Sequence, residues 1–403
     1  MKPNKQHYSD IQLDTYLPKD KYTGTLIGRA WVPESNDFPI AGPTPIWLHD
    51  SCVYDLSSLA ATCSELLNLG ITKEQLLAGQ FKKLGSVESL FANSLQRPLD
   101  KDYLHLLSPF DLQAIKACGV TFVSSMLERV IEEKAEGNAD IAKDIRQKIY
   151  DTIGSTIGNL IPGSKEALEL KEILIKENMW SQYLEVGIGP YAEVFTKSQP
   201  LSTVGLGADV GLHPISSWNN PEPEVVLAIN NQGHIVGSTL GNDVNLRDVE
   251  GRSALLLGKA KDNNASCSIG PIIRLFDQSY SLDDVRSSLV TLNVKGPEDE
   301  YELDATNDMK KISRDVEDLV SQTISDCHQY PDGLALFTGT LFTPTQDRGE
   351  TGKGFTHKAG DIVSISTNYI GTLQNTVHYS NQIAPWEFGI NTLMKNLAQR
   401  NLI

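Results

Sequence analysis

The sequence predicts an α+β protein whose C-terminal half is a β-rich, roll- or barrel-like domain. Three observations predict it: dense turn punctuation with recurring short β-type runs after residue 184, helical periodicity in the middle of the chain, and short mixed runs at the start.

Residues 1–111 alternate brief apolar runs with turn residues, which predicts a small α/β domain. Residues 24–32 have the composition of a strand, and residues 43–48 and 52–55 read as the two arms of a hairpin. Residues 112–183 change character. The stretches 125–134, 141–149 and 164–178 repeat their apolar residues at helical spacing, which predicts a helical insertion that could serve as a lid. Residues 184–403 are expected to form the catalytic domain. Its β-type runs lie at 224–229, 234–237, 288–294, 333–337 and 361–366, between Gly, Pro and Asn residues.

The 403 residues suffice for two or three domains, and 40% hydrophobic with 21% charged residues is ordinary for a globular chain. Five cysteines, none in a Cys-x-x-Cys pair, argue against a disulfide framework or a thiolate zinc site and suggest a reducing, cytoplasmic setting. The first twenty residues lack the apolar core of a leader, and no stretch approaches the ~20 apolar residues of a membrane span. A formal net charge of −16 repels nucleic acid. It repels an anionic substrate too, so a bound metal or a local Lys/Arg group must supply the positive field at a site for one.

The most informative stretch is Asn219-Asn-Pro-Glu-Pro-Glu224 followed by an apolar run. Side chains alternate along a strand, so Glu222 and Glu224 share a face. Two adjacent carboxylates repel and are costly to bury, and a hard divalent cation removes both costs. The plainer alternative is two solvated carboxylates at a strand entrance. Gly241-Asn-Asp-Val-Asn-Leu-Arg-Asp248 then offers Asp243 as a third carboxylate, and Arg247 as a partner for a substrate carboxylate or a support for a ligand. A lysine near a divalent cation has a lowered pKa and can act as a base, and Lys259 and Lys261 are both candidates.

In this order and spacing, Glu222-Pro-Glu224, Gly241 to Asp248, Lys261 before Gly270-Pro271, and Gly339-Thr340 resemble the fumarylacetoacetate hydrolase family over roughly residues 200–385. The resemblance implies Mg²⁺ (or Mn²⁺ or Ca²⁺) on Glu222, Glu224 and Asp243, substrate contacts from Lys261 and Arg247, and Thr340 at the substrate carboxylate. It also implies a homodimer. The hydrolytic members carry an Asp and a water-activating His in a segment that here reads Cys118-Gly-Val-Thr-Phe-Val-Ser-Ser-Met-Leu-Glu-Arg129, with Thr121 and Glu128 at those places. The segment is more similar to the branch that dehydrates 2-keto-3-deoxy sugar acids. That resemblance implies a Mg-dependent hydro-lyase in sugar acid catabolism, with Lys261 and Glu128 catalytic and Arg247, Thr340, Thr121 and Ser124 binding substrate. Its substrate would be a pentonate such as 2-dehydro-3-deoxy-D-arabinonate, and its product 2-oxoglutarate semialdehyde. The alternatives are hydrolysis of a C–C bond in a 2,4-diketo acid and an inactive sugar-acid-binding protein. Arg129 with Glu132 and Glu133 reads as a solvated helix face, and His328 and His357 as structural loop histidines.

Overall fold

The computed structural model describes residues 11–136, 138, 141–142, 160–176, 180–342, 346–349 and 354–403. The N-terminal part supplies β1 (Thr25–Val32), β2 (Gly42–His49), β3 (Cys52–Asp55), β4 (Lys83–Ser86), β5 (His105–Leu106) and β6 (Ala114–Gly119). The middle supplies β7 (Glu193–Ser198), β8 (Asp209–Leu212), β9 (Asn219–Asn220), β10 (Pro223–Ile229), β11 (Ile235–Asp243), β12 (Asn245–Leu246) and β13 (Cys267–Leu275). The C-terminal part supplies β14 (Leu289–Gly296), β15 (Tyr301–Asp308), β16 (Leu334–Phe337), β17 (Ile362–Thr367) and β18 (Gly371–Tyr379).

Eleven of these strands form one sheet in the order β4-β3-β2-β1-β13-β11-β10-β16-β6-β7, with β5 beside β1. A five-stranded sheet, β15-β14-β17-β18-β8, packs against it. Most pairs are antiparallel; β16 with β6 and β18 with β8 are parallel. The β-rich α+β expectation holds, with one correction: the large sheet ends in β4 on one side and β7 on the other and does not close into a barrel. The predicted hairpin is present as β2 and β3, and all five β-type runs of the second half fall on strands. We retain the division at residues 111 and 183 as a proposal; β1 to β3 and β10 to β13 share one sheet.

The alternation of β10 explains how the sheets stack. Val225, Leu227 and Ile229 pack with Leu292, Val294, Val363 and Ile365 of the five-stranded sheet. Val226 and Ala228 face the other way, with Ile27, Ile269, Phe337 and, from the helices Cys63–Asn68 and Lys73–Ala78, Leu66 and Leu76. A strand buried on both faces is apolar without interruption, which is why residues 225–229 show no polar alternation.

The helices predicted at 125–134 and 164–178 are Val123–Lys134 and Lys165–Lys176; of 141–149, residues 143–149 lie outside the described residues. Met126, Leu127, Val130 and Ile131 pack on Leu184 and Ile188 of the helix Gln182–Ile188. That stripe turns residues 125, 128, 129 and 132, which share another helical face, toward the end of β10. Leu227→Ala, at 0% exposure between the two sheets, should cost about 2–5 kcal/mol in urea unfolding, whereas Leu255→Ala, at 96% exposure, should change stability by less than about 0.5 kcal/mol.

Candidate active site

Residues 219–246 build a carboxylate ladder. β10 pairs with β11 in a register that sets Glu224 opposite Gly241 and Pro223 opposite Asn242. The same register resumes in β9 and β12, with Asn220 opposite Asn245. Between them the Asp243 amide donates to the Glu222 carbonyl at 3.0 Å. The ladder is divided only where Pro221 and Pro223 have no N–H to give. Along it Asn220, Glu222 and Glu224 face one way, against Asn245, Asp243 and Gly241. A Cβ at Gly241 would lie 2.3 Å from the Phe337 ring, so the residue opposite Glu224 must be glycine. One carboxylate oxygen from each of Glu222, Glu224 and Asp243 lies within 4.8 Å of the others, and all three residues are buried.

Glu224 is anchored from behind. Its Oε2 accepts the Gly339 amide at 2.6 Å. Gly339 has φ +93°, and a Cβ there would stand 1.9 Å from Thr121 Oγ1. The Thr121 hydroxyl donates to the Thr338 carbonyl at 2.8 Å, and the Thr121 carbonyl accepts from the Ser313 hydroxyl at 2.7 Å. Thr121 thus ties the start of the helix Val123–Lys134 to the segment carrying Gly339 and Thr340. Thr340 borders the site, its Oγ1 accepting the Phe342 amide at 3.1 Å. Ser124 lies in that helix, and its side chain is outside the described residues.

Four cations stand at or beside the ladder. Lys261 Nζ lies 2.5 Å from Glu222 Oε2 and 3.2 Å from Asp243 Oδ2. It stands in the last turn of a short helix, Leu257–Lys261. Lys259 points elsewhere, its Nζ 2.8 Å from His213. Lys197, from β7, is wholly buried, with Nζ 3.0 Å from Asp243 Oδ1 and hydrogen-bonded to the Val244 carbonyl. Arg129 pairs with Glu222, with Glu132 at 2.6 Å and with Glu250 at 3.0 Å. Arg247 Nη2 lies 2.6 Å from Glu132 and 3.2 Å from Glu128, and its guanidinium sits 4.1 Å over the Trp218 ring. Arg129 and Glu132 are therefore not a solvated face, as expected from the charge run; Glu133 alone of that run points away, accepting from Ser181. The signal for it was spacing: 128 and 132 are one helical turn apart, so whatever surface Glu128 faces, Glu132 faces too. Lys197 and Glu250, isolated in the sequence, gave no such signal.

The residues that meet here enclose a cavity of about 20 Å³, room for about one water, bordered by Glu128, Arg129, Glu132, Asn220, Arg247 and Thr340 among others. Burial, with Asp243 and Glu222 beside it, pushes the Glu224 carboxyl well above its ordinary range. Burial also raises Glu222, against Lys261 and Arg129. For Asp243 burial is outweighed by Lys261 and Lys197, which hold it below the usual value. Glu193, beside the cluster, is pushed up to about 7 by burial and by Glu250. Lys261 is held above its ordinary value: burial works against its charge, but Asp243 and Glu222 prevail. The lowered pKa expected of a basic lysine requires those two carboxylates to spend their charge on something else.

Behind the ladder, the His357 amide donates to Asn219 Oδ1 at 3.2 Å, and its Nδ1 lies 3.0 Å from Asp361. Burial lowers the pKa of this histidine. The unfolded chain takes up the proton below about pH 6.5 while the folded chain resists it, so stability is present above that pH and is lost as pH falls. Urea unfolding at pH 7 and pH 5 should show His357→Phe losing less stability on acidification than the parent, by up to about 1.4 kcal/mol per pH unit.

Residues 194–378 match the fumarylacetoacetate (FAA) hydrolase C-terminal family. Over 184 residues the chain is 33% identical to the 2-dehydro-3-deoxy-D-arabinonate dehydratase of Saccharolobus solfataricus, covering 45% of this chain and 57% of that protein. Over 202 residues it is 32% identical to a probable 2-keto-3-deoxyxylonate dehydratase of Haloferax volcanii, covering 50% of this chain and 65% of that one. The matches thus span somewhat more than half the length of these relatives. The fold is similar to that of a 2-keto-3-deoxy-D-arabinonate dehydratase complexed with magnesium and 2,5-dioxopentanoate, with a TM-score of 0.61 at 21% identity over 88% of this chain and 99% of that one. The apo form of such a dehydratase gives a TM-score of 0.59 at 20% identity, with the same coverage.

Proposed function

We propose that this chain, whose residues 194–378 belong to the fumarylacetoacetate hydrolase C-terminal family, is a divalent-metal-dependent hydro-lyase. Its substrate would be a 2-keto-3-deoxy sugar acid, a pentonate such as 2-dehydro-3-deoxy-D-arabinonate, and its product 2-oxoglutarate semialdehyde. The observation that carries the reading is the buried cluster of Glu222, Glu224 and Asp243, whose Glu222 borders the small cavity that Glu128 also lines. The names of the relatives in Saccharolobus and Haloferax support the reaction class. A cytoplasmic homodimer acting in sugar acid catabolism is part of the proposal. Among the described residues no helix is long and apolar enough to cross a membrane.

The three carboxylates fit a hard divalent cation. All their donors are oxygens gathered within 4.8 Å of one another, a donor set that would hold Mg²⁺, with Mn²⁺ and Ca²⁺ as alternatives. Charge supports the fit. Glu128, Glu132, Glu222, Glu224, Asp243 and Glu250 are buried among four cations, Arg129, Lys197, Arg247 and Lys261. Fully ionised, these six outnumber the four cations, an excess that a divalent cation would offset. When bound, the ion supplies Lewis-acid polarisation of the substrate's 2-oxo group, which acidifies the neighbouring C3–H.

Lys261 is placed to take the C3 proton once Glu222 and Asp243 no longer hold it as their counter-ion. Glu128 delivers a proton to the departing C4 hydroxyl, and water leaves; tautomerisation then gives the terminal aldehyde. Arg247, which also borders the cavity and holds Glu128 and Glu132 in place, contacts the substrate, while Thr340 takes the carboxylate end. Thr121 acts through the 338–340 segment it ties down, and Ser124 is retained as a candidate substrate contact.

The test is a Mg²⁺-dependent assay against 2-keto-3-deoxy acids and 2,4-diketo acids, with products weighed. A product lighter by one water is expected; two fragments from a diketo acid would select the hydrolase instead. In heavy water Glu128→Gln should incorporate deuterium at C3 while dehydrating at least about 100-fold more slowly, and Lys261→Ala should do neither. Normal dehydration by Glu128→Gln, or exchange by Lys261→Ala, would remove that residue from its role.

A further inference from the structure

One rung beyond Glu222 and Asp243, the ladder sets Asn220 against Asn245. Both are buried, at 2% and 0% exposure. Asn220 Nδ2 donates to its neighbour's carbonyl, Pro221 O, at 2.9 Å. Its Oδ1, and both amide atoms of Asn245, have no hydrogen-bond partner among the described residues. A buried polar atom left unpaired is costly, and native proteins leave few, so three on two facing side chains mark a place where a ligand group would be held.

The place and the chemistry narrow that group. Asn220 borders the same cavity as Glu128, Arg247 and Thr340. Residues two apart on a strand are about 7 Å apart, the span of a short acid whose keto end rests at Glu222 and Asp243. The rest of the cavity is lined chiefly by charged side chains, suited to a carboxylate and a metal ion. Two neutral amides, which both donate and accept, match a neutral hydroxyl.

We propose that Asn220 and Asn245 bind the terminal C5 hydroxyl of the sugar acid and so select hydroxylated 2-keto acids over plain ones. This rests on the keto-acid reading of the carboxylate end. Site and selection follow from one layout, in which the charged rungs hold the reacting end and the amide rung reads the far end. A chain lacking the hydroxyl would leave the amides unpaired, which is the strongest form of rejection a buried polar site has.

Two probes separate the possibilities: 5-hydroxy-2-oxopentanoate and 2-oxopentanoate, which both lack the C4 hydroxyl and cannot lose water from it. Titration calorimetry of the Mg²⁺-loaded protein should show the hydroxylated probe binding about 10-fold or more tightly than the plain one. In Asn220→Ala and in Asn245→Ala the ratio should fall toward one. Equal binding of the two probes by the parent protein would overturn the assignment while leaving the keto-acid reading in place. So would variants that weaken both probes alike. No binding of either probe would overturn the keto-acid reading and this assignment with it. The parent's ratio decides even if a variant does not fold.

Discussion

A surplus of buried negative charge is the constraint around which this site is built. Five carboxylates and four cations share one network, from Glu128 and Glu132 on Arg247, through Arg129 on Glu132, Glu222 and Glu250, to Lys261 and Lys197 on Asp243, and Glu224 lies buried beside it. Isolated ions in a protein interior are costly, and pairing recovers that cost only when it is complete. Here it is incomplete: Glu224 is the one carboxylate of the ladder with no cation within ion-pair distance among the described residues, and burial beside Asp243 and Glu222 pushes its pKa up. Folding the chain into this arrangement creates the demand for a divalent ion.

The surroundings hold the arrangement without neutralising it. Both faces of β10 are buried, so the strand cannot slip by a residue without turning Val225 and Leu227 out of the stack between the sheets. That fixes the face on which Glu222 and Glu224 appear. Gly241 and Gly339 leave room for Phe337 and Thr121, and the Gly339 amide aims Glu224. The helix Val123–Lys134 packs its apolar stripe on a neighbouring helix, so its polar face must meet the ladder, bringing Glu128, Arg129 and Glu132. The lysine proposed as the base is paired with two carboxylates of the ladder, so the proposed basicity is conditional on a bound ion.

What could be read from the sequence follows from the range of the physics. The strands at 224–229 and 361–366, and the grouping of Glu222, Glu224 and Asp243, are local: two-residue alternation and one hairpin suffice. Arg129 and Glu132 were misread because a charge run is solvated by default, and only the packing of residues 126–131 shows which face is inward. Lys197 reaches Asp243 from β7 across 45 intervening positions, a contact no spacing announces. The register joining Asn220 to Asn245 was hidden by Pro221 and Pro223, which break the hydrogen bonds but not the alignment. The openness of the large sheet depends on which strands end it, β4 and β7, and that is a property of the whole topology.

The charge argument is tested most directly by thermal unfolding of the chelated protein across a Mg²⁺ titration, beside Asp243→Asn, which removes one of the two surplus charges. The account predicts that Mg²⁺ raises Tm with the logarithm of its concentration, by about 2.7 kcal/mol of stability at one hundred times Kd. It predicts a smaller response in Asp243→Asn. A parent protein whose Tm is indifferent to Mg²⁺ and to the other divalent ions, or a variant that responds as strongly as the parent, would contradict it.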